Sequence, residues 1–366
     1  MVAIKNWMSN IDDNTLLKDV VMPGSHDAGV WASPTGSNVK VTNSLMPVSS
    51  IAAQLGDIKD QAEAGSRWFD IRMYKTPTRW APWEKSLRPS ALGGHKMKLR
   101  AAHVPAFQEG AIAKGLLQSP GLGGYGASIE QILTQAISFV TNPATRSEFV
   151  VIRFSHCPEP KKVLKEIKYY LADDNQLFRG NILTRSKPNL TTKLGNTPMS
   201  VLRSRVALIF DEKFHKYAAD DDYRSWMFLY SKNIGSASHV CCCGSYADSP
   251  DTAIVKNATL SAATAHLTHA DDGHLCFAYW QLTQRSISKQ MTGGGNIAVN
   301  TKAAGGTHAA TGGLMDQLLA LPNPQNRMPA NVISHDFVNE ETSQKIVKAN
   351  GGKDFDTIKV PWPGNW

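Results

Sequence analysis

The chain has 366 residues, 42% of them hydrophobic and 19% charged. That is enough apolar material for a large core, and it excludes a fibrous or wholly disordered protein. Lys and Arg number 39 against 31 Asp and Glu, a net charge of +8 spread along the chain with no long basic run, which argues against a nucleic-acid-binding tail and suits an anionic surface. No apolar stretch reaches the ~20 residues of a membrane-spanning helix, and residues 1–10 lack the apolar centre of a signal peptide. The chain is therefore expected to be secreted with its leader removed, or to be cytoplasmic or exported without one.

Taken in order, eight short apolar runs predict strands at residues 20–22, 68–73, 99–103, 149–154, 206–210, 227–230, 276–281 and 332–337, with 239–243 competing for the sixth place. The runs at 149–154 and 206–210 are apolar almost throughout, as strands buried on both faces are. Between the strands, apolar spacing predicts helices over 49–64, 128–140, 161–171 and 316–321. Ser128 stands as N-cap of the second, and Gly65 as the stop of the first. Alternating strands and helices imply an α/β fold with a parallel sheet, and eight such strands imply a distorted (β/α)8 TIM-type barrel. The reading is a single domain over residues 1–366, with inserts at about 33–47, 76–98 and 293–313. The last insert is rich in Gly, Thr and Ala but lacks the Lys-Ser/Thr ending of a phosphate-binding P-loop.

The most informative segment is Met22-Pro23-Gly24-Ser25-His26-Asp27-Ala28-Gly29. It reads as a strand stopped by a Pro-Gly turn that presents His26 and Asp27 at its carboxyl end, the end of a barrel where chemistry is done. Downstream, in Gly65-Ser66-Arg67-Trp68-Phe69-Asp70-Ile71-Arg72, alternation along a strand sends Asp70 and Arg72 the same way. Such a carboxylate–guanidinium pair either holds a phosphate or is a structural ion pair. A further strand ends in His103, and the last carries Asp336, which would lie beside His26 in a closed barrel. Two histidines at strand ends, one as base and one as acid, suit in-line phosphoryl transfer to an internal hydroxyl.

Together these segments resemble the catalytic region of bacterial phosphatidylinositol-specific phospholipase C. The likeness runs over residues 16–155 and 331–339. It implies a distorted (β/α)8 barrel and cleavage of phosphatidylinositol-type lipids to diacylglycerol and inositol 1,2-cyclic phosphate. It also implies roles: His26 as general base oriented by Asp336, His103 as general acid helped by Asp27, Arg72 neutralising the phosphate, and Asp70 steadying Arg72 or the attacking group. Calcium-dependent relatives carry an acidic residue where Arg72 stands, so neither metal nor cofactor is expected here. Ser147-Glu148 before the fourth strand fits the family. The metal-independent enzymes place a lysine where Ser155 falls, with His156 next to it. Ser155, His156 and Asp211 are taken as substrate-binding.

Weaker signals remain. His266, His269, Asp271, Asp272 and His274 are grouped like metal ligands, but at no standard spacing, and are expected in a solvated loop. Cys157, Cys241, Cys242, Cys243 and Cys276 form neither a disulfide framework nor a Cys-x-x-Cys pair, and read as reduced thiols. Trp80, Trp83, Trp362 and Trp366 are candidates for packing under the inserts or for docking at a membrane interface. A monomer peripheral to a phospholipid surface, without nucleic acid, is the expected state. Two alternatives stand: a phosphodiesterase of the same barrel class acting on another lipid or glycerophosphodiester, and a non-catalytic phosphoinositide-binding barrel.

Overall fold

A computed structural model describes residues 3–33, 36–41, 48, 51–76, 99–104, 123–172, 176–233, 238–244, 246, 247, 249, 251–268, 273–280, 317, 318, 320–322 and 328–350, and every structural statement concerns these. Its strands, in chain order, are β1 (Met22–Ser25), β2 (Ala32–Ser33), β3 (Gly36–Ser37), β4 (Lys40–Val41), β5 (Trp68–Ile71), β6 (Met73–Lys75), β7 (Leu99–His103), β8 (Gly124–Ser128), β9 (Val150–Phe154), β10 (Val206–Phe210), β11 (Met227–Ser231), β12 (Val240–Cys243), β13 (Leu275–Trp280) and β14 (Val332–His335). Strands β1, β5 and β9 to β14 form a closed barrel in that order, all neighbours parallel, with β1 paired to both β5 and β14. To one side, β4, β8, β7 and β6 make a four-stranded antiparallel sheet.

Strand alternation sorts the barrel residues into two cores. Met22, Trp68, Val151, Ala207, Ile209, Phe228, Leu275, Phe277 and Val332 cluster inside the barrel, with Trp68 and Phe277 edge to face at 4.7 Å. Ile4, Trp7 and Met8 of an N-terminal 3-10 turn join that cluster. Phe69, Ile71, Val150, Ile152, Phe154, Leu208 and Phe210 face outward into a second core shared with the covering helices. Burial on both faces explains why β9 and β10 read as unbroken apolar runs. At ~25 cal/mol per Å² of apolar surface, each such buried side chain contributes about 1.5–3 kcal/mol.

The helix predicted from Ser128 is present as Ile129–Thr141, its capping box closed between Ser128 and Gln131. Pro160–Tyr170 matches the predicted third helix, with Val163, Leu164 and Ile167 buried. Four expectations are corrected. First, β1 runs through Pro23 and Gly24 instead of ending there, pairing Pro23 with Ile333 and Gly24 with Ser334; a Cβ on Gly24 would meet Val332 Cγ1 at 2.7 Å, so the strand needs glycine for packing and not for a turn. Second, Leu99–His103 is not a barrel strand. A parallel neighbour needs a helical crossover, and the helix that follows β5 comes only after β8. The chain meanwhile makes antiparallel pairs, Met73 with Ala101 and His103 with Gly124.

Third, residues 227–231 and 239–243 do not compete. Both supply barrel strands, pairing Tyr230 with Val240 and Ser231 with Cys241, and this fills the place that β7 leaves. Fourth, the helix predicted over 49–64 is only Ile58–Glu63, begun by a capping box between Asp57 and Asp60. Of the helix predicted over 316–321, residues 317 and 318 are helical, while the inserts at 76–98 and 293–313, and Trp80, Trp83, Trp362 and Trp366, lie mostly or wholly outside the described residues. None of the described helices is long and apolar enough to cross a membrane.

At the amino-terminal end of the barrel, Arg67 and Glu148 form a fully buried ion pair, Nε and Nη2 donating to Oε2 at 2.8 and 2.5 Å. The remaining guanidinium hydrogens go to the carbonyls of Ala62, Ser66 and Lys5. Phe139 and Trp7 cover the group at 4.8 and 5.5 Å. Two residues of the sequence signature, Arg67 and Glu148, are thus structural.

Candidate active site

Alternation along the strands leaves the next inward positions above the apolar barrel core at His26, Asp70, Arg72, Arg153, Ser155, Tyr230, Tyr279 and Asp336. All sit at or just past the carboxyl ends of their strands. Three of these exits share a backbone device. Asp27, His156 and Phe337 have φ of 45°, 52° and 54°. Each follows an inward residue, His26, Ser155 or Asp336, and bends the chain away at once. A left-handed non-glycine residue costs about 1–2 kcal/mol, a strain that folds tolerate chiefly at functional sites.

His26 lies at the centre. Its Nδ1 is 2.9 Å from Asp336 Oδ1, and its Nε2 is 2.8 Å from Arg72 Nη2. A guanidinium only donates, so Nε2 accepts and the ring is the tautomer with its proton on Nδ1, donated to Asp336. Burial works against a charge on this ring, but Asp27 and Asp336 outweigh it and hold its pKa above the ordinary histidine value, while Arg72 opposes them. The result is a strengthened base whose Nε2 electron pair is held by Arg72 at the barrel mouth.

Arg72 links the other groups. Its Nε stands 3.0 Å from Asp27 Oδ1 and 3.7 Å from Asp70 Oδ2. Asp27 is 3.4 Å from His26 Nε2 and 3.9 Å from His103 Nε2. His103 Nδ1 is fixed on the Ile51 carbonyl at 2.8 Å, so Nε2 is the nitrogen left towards Asp27. The antiparallel sheet thus delivers His103 from beside the barrel. It can do so because of Gly29: a Cβ there would overlap Ala101 of β7, and the Gly29 carbonyl accepts from Ala127 of β8 at 2.8 Å. This gives the last glycine of the His-Asp-Ala-Gly segment its physical reason.

Asp70 is held low in pKa: burial would raise it, but Arg153, Arg72, His26 and the Ser155 hydroxyl outweigh burial. Arg153, opposite Asp70 in register, was not singled out from sequence. Its Nη1 is 3.8 Å from Asp70 and 3.2 Å from the Tyr279 hydroxyl, and its guanidinium lies 4.0 Å over the Tyr230 ring. The signal was present in the sequence as a lone charge in the apolar run Val150-Val151-Ile152-Arg153-Phe154. Ser155 is fully buried above it. A second cation of the mouth thus stands two residues before Ser155, on the same face of the strand.

The other expected substrate contacts are placed differently. Asp211 accepts from the backbone amides of His156 at 2.8 Å and Lys213 at 3.1 Å, so it secures the turn that carries His156. His266 and His274 are buried against each other and not solvated: Nδ1 to Nε2 is 2.7 Å, and His266 Nε2 reaches the Met328 carbonyl at 3.0 Å. With its Nε2 donating to that carbonyl, His266 Nδ1 accepts from His274 Nε2, so both nitrogens of His266 are engaged. His269, Asp271 and Asp272 lie outside the described residues, as do the side chains of Cys241, Cys242 and Cys243; Cys157 and Cys276 are buried and are in no disulfide among the described residues.

Among the described residues, the group close enough to share a metal ion is His26, Asp27 and Asp70, their ligand atoms within 4.8 Å of one another. Arg72 contacts all three, so a fixed cation already stands against that cluster.

Comparison with known proteins agrees with the resemblance read from the sequence. No family model matches the chain. A 1-phosphatidylinositol phosphodiesterase of Staphylococcus aureus (strain Newman) is 38% identical over 71 residues, and the match spans about a fifth of each protein, 19% of this chain and 19% of the relative. Among solved structures, a phosphatidylinositol-specific phospholipase C from Listeria monocytogenes is similar with a TM-score of 0.56 and 16% identity, covering 95% of this chain and 99% of that one. The F249X mutant of the Staphylococcus aureus enzyme gives 0.54 and 17%, covering 95% and 98%. The chain has the TIM-type barrel fold of these enzymes.

Proposed function

We propose that the chain is a metal-independent phosphatidylinositol-specific phospholipase C acting at a membrane surface. The observation that carries this reading is the unbroken constellation Asp336–His26–Arg72–Asp27–His103 across the barrel mouth. A binding module has no need of a histidine base and a histidine acid flanking one cation.

In this reading His26 Nε2 takes the proton of the inositol 2-hydroxyl, and the new imidazolium is stabilised by Asp336, as in other histidine–carboxylate pairs. The 2-oxygen attacks phosphorus in line and closes the cyclic 1,2-phosphate. His103 Nε2, partnered by Asp27, protonates the departing diacylglycerol oxygen; its side chain is 23% exposed, at the edge where the lipid would leave. Arg72 neutralises the phosphoryl oxygens, and Arg153 keeps Asp70 ionised and Asp70 keeps Arg72 aimed. Fixed charge in a water-poor mouth is the largest source of rate in such chemistry. A guanidinium in the place of calcium makes the reaction independent of added metal. Ser155 and His156 border the headgroup, the latter on the turn that Asp211 secures.

The variant His26→Ala, assayed on phosphatidylinositol vesicles, is expected to lose turnover by a factor of at least about a hundred while co-sedimenting with the vesicles as the unaltered protein does. Equal turnover in the two proteins would overturn the assignment of the base.

A further inference from the structure

Residues 51–54 carry an apolar spacing that predicts helix, yet they run from a turn at Ile51 to a parallel bridge between Gln54 and Trp31, and the helix begins only at Ile58. Their backbone groups are used elsewhere. Ala53 N–H donates to the Val30 carbonyl at 3.1 Å, the Ala53 carbonyl accepts from Phe337 at 2.9 Å, and the Gln54 carbonyl accepts from Ala32 at 3.0 Å. The segment is thus laced between the exit of β1 and the exit of β14.

We infer that residues 51–54 form a positioning strap that sets the base and the acid together, with Gln54 as its principal positioning residue. The inference rests on the proposed reading of His26 and His103. Gln54 is completely buried. Its Nε2 donates to the carbonyls of His26 and His335 at 2.8 and 3.2 Å, and its Oε1 accepts from Val338 at 3.0 Å. One amide therefore grips the backbone of His26 and both sides of Asp336, the two residues whose side chains meet at 2.9 Å. It engages both side-chain hydrogens and its carbonyl oxygen, in a geometry that fixes which way the amide points.

The other end of the strap serves the second histidine. The Ile51 carbonyl accepts a hydrogen bond from His103 Nδ1–H and so fixes which ring nitrogen carries that proton. Ile51 itself is buried against β8, where a Cβ on Gly124 would meet Ile51 Cγ2 at 2.7 Å. His26 and His103 come from different sheets, one in the barrel and one beside it. The strap is the segment that touches both, and a small displacement of it would move base and acid relative to each other. Misplacement of reacting groups by about 1 Å costs on the order of a hundredfold in rate.

The test uses the full chain as Gln54→Met, which keeps volume and loses the amide, and as Gln54→Glu, which keeps length and acceptor and is read in the same way should the methionine variant not fold. Three readouts are taken: thermal melting, kcat and KM on phosphatidylinositol vesicles, and the titration of nitrogen-15-labelled histidine rings. The strap predicts a fall in kcat of about a hundredfold with KM unchanged. It also predicts that the His26 titration moves down towards the ordinary histidine value as its hold on Asp336 loosens, while the His103 resonances stay where they are in the unaltered protein. A lower melting temperature with the wild-type kcat and His26 titration would reduce Gln54 to a packing residue and overturn the inference. The ring titration needs no substrate. A wild-type protein that leaves the vesicles intact would thus defeat the proposed function, and the strap would still be decided by the His26 midpoint.

Discussion

At the level of single residues, the site is set by which polar groups surround His26. Asp27 and Asp336 raise its basicity against burial, and Arg72 keeps the proton off Nε2. The sign of the pH dependence follows. In the proposed mechanism the working form is neutral His26, so kcat/KM is expected to rise with pH as the ring loses its proton, above the ordinary histidine value. Replacing Asp336 by Asn removes one of the two raising charges and leaves burial and Arg72 in place. The acid limb of the pH–kcat/KM profile is then expected to move to lower pH, with kcat down roughly a hundredfold or more. A limb that stays where it was would separate Asp336 from the base. His26, Asp70, Arg72 and Asp336 were legible because two-residue alternation puts them on one face. Arg153 was legible in principle by the same rule, as the one charge in β9. Gln54 was not: its importance lies in contacts to residues 28 and 281 positions away, and no local pattern encodes them.

At the level of elements, the errors of sequence reading have specific causes. Residues 51–54 have helical spacing, but tertiary hydrogen bonds to the exits of β1 and β14 outweigh local propensity, which is worth under about 1 kcal/mol per residue. Leu99–His103 is a strand, as predicted, but strand character does not reveal whether its partners are parallel or antiparallel. The Pro-Gly pair suggested a turn, and the barrel instead uses Gly24 to bring β1 against Val332. The buried Arg67–Glu148 pair shows how a sequence signature can carry stability instead of chemistry. Removing one partner leaves a buried charge alone, so Glu148→Gln or Arg67→Met is expected to lower unfolding stability by about 3–5 kcal/mol. Denaturant unfolding checks this, and a loss below about 1 kcal/mol would mean that water or neighbouring groups replace the missing partner.

For the whole molecule, the barrel class, its parallel sheet and the burial of the apolar runs on both faces were readable, because buried parallel strands and their helices impose distinct spacings. What was not readable is the assembly of the mouth. One histidine arrives on a barrel strand and the other on a side sheet, and a short strap between them registers both. In the proposed mechanism a guanidinium does at this mouth what a calcium ion does in the calcium-dependent phospholipases that the sequence resembles. Phosphorus NMR of the full chain with phosphatidylinositol vesicles and excess chelator tests it most directly. The expected result is an inositol 1,2-cyclic phosphate resonance that grows with chelator present and is unchanged by added calcium. A spectrum that stays silent under chelation and develops the signal only when calcium is supplied would contradict the role given to Arg72.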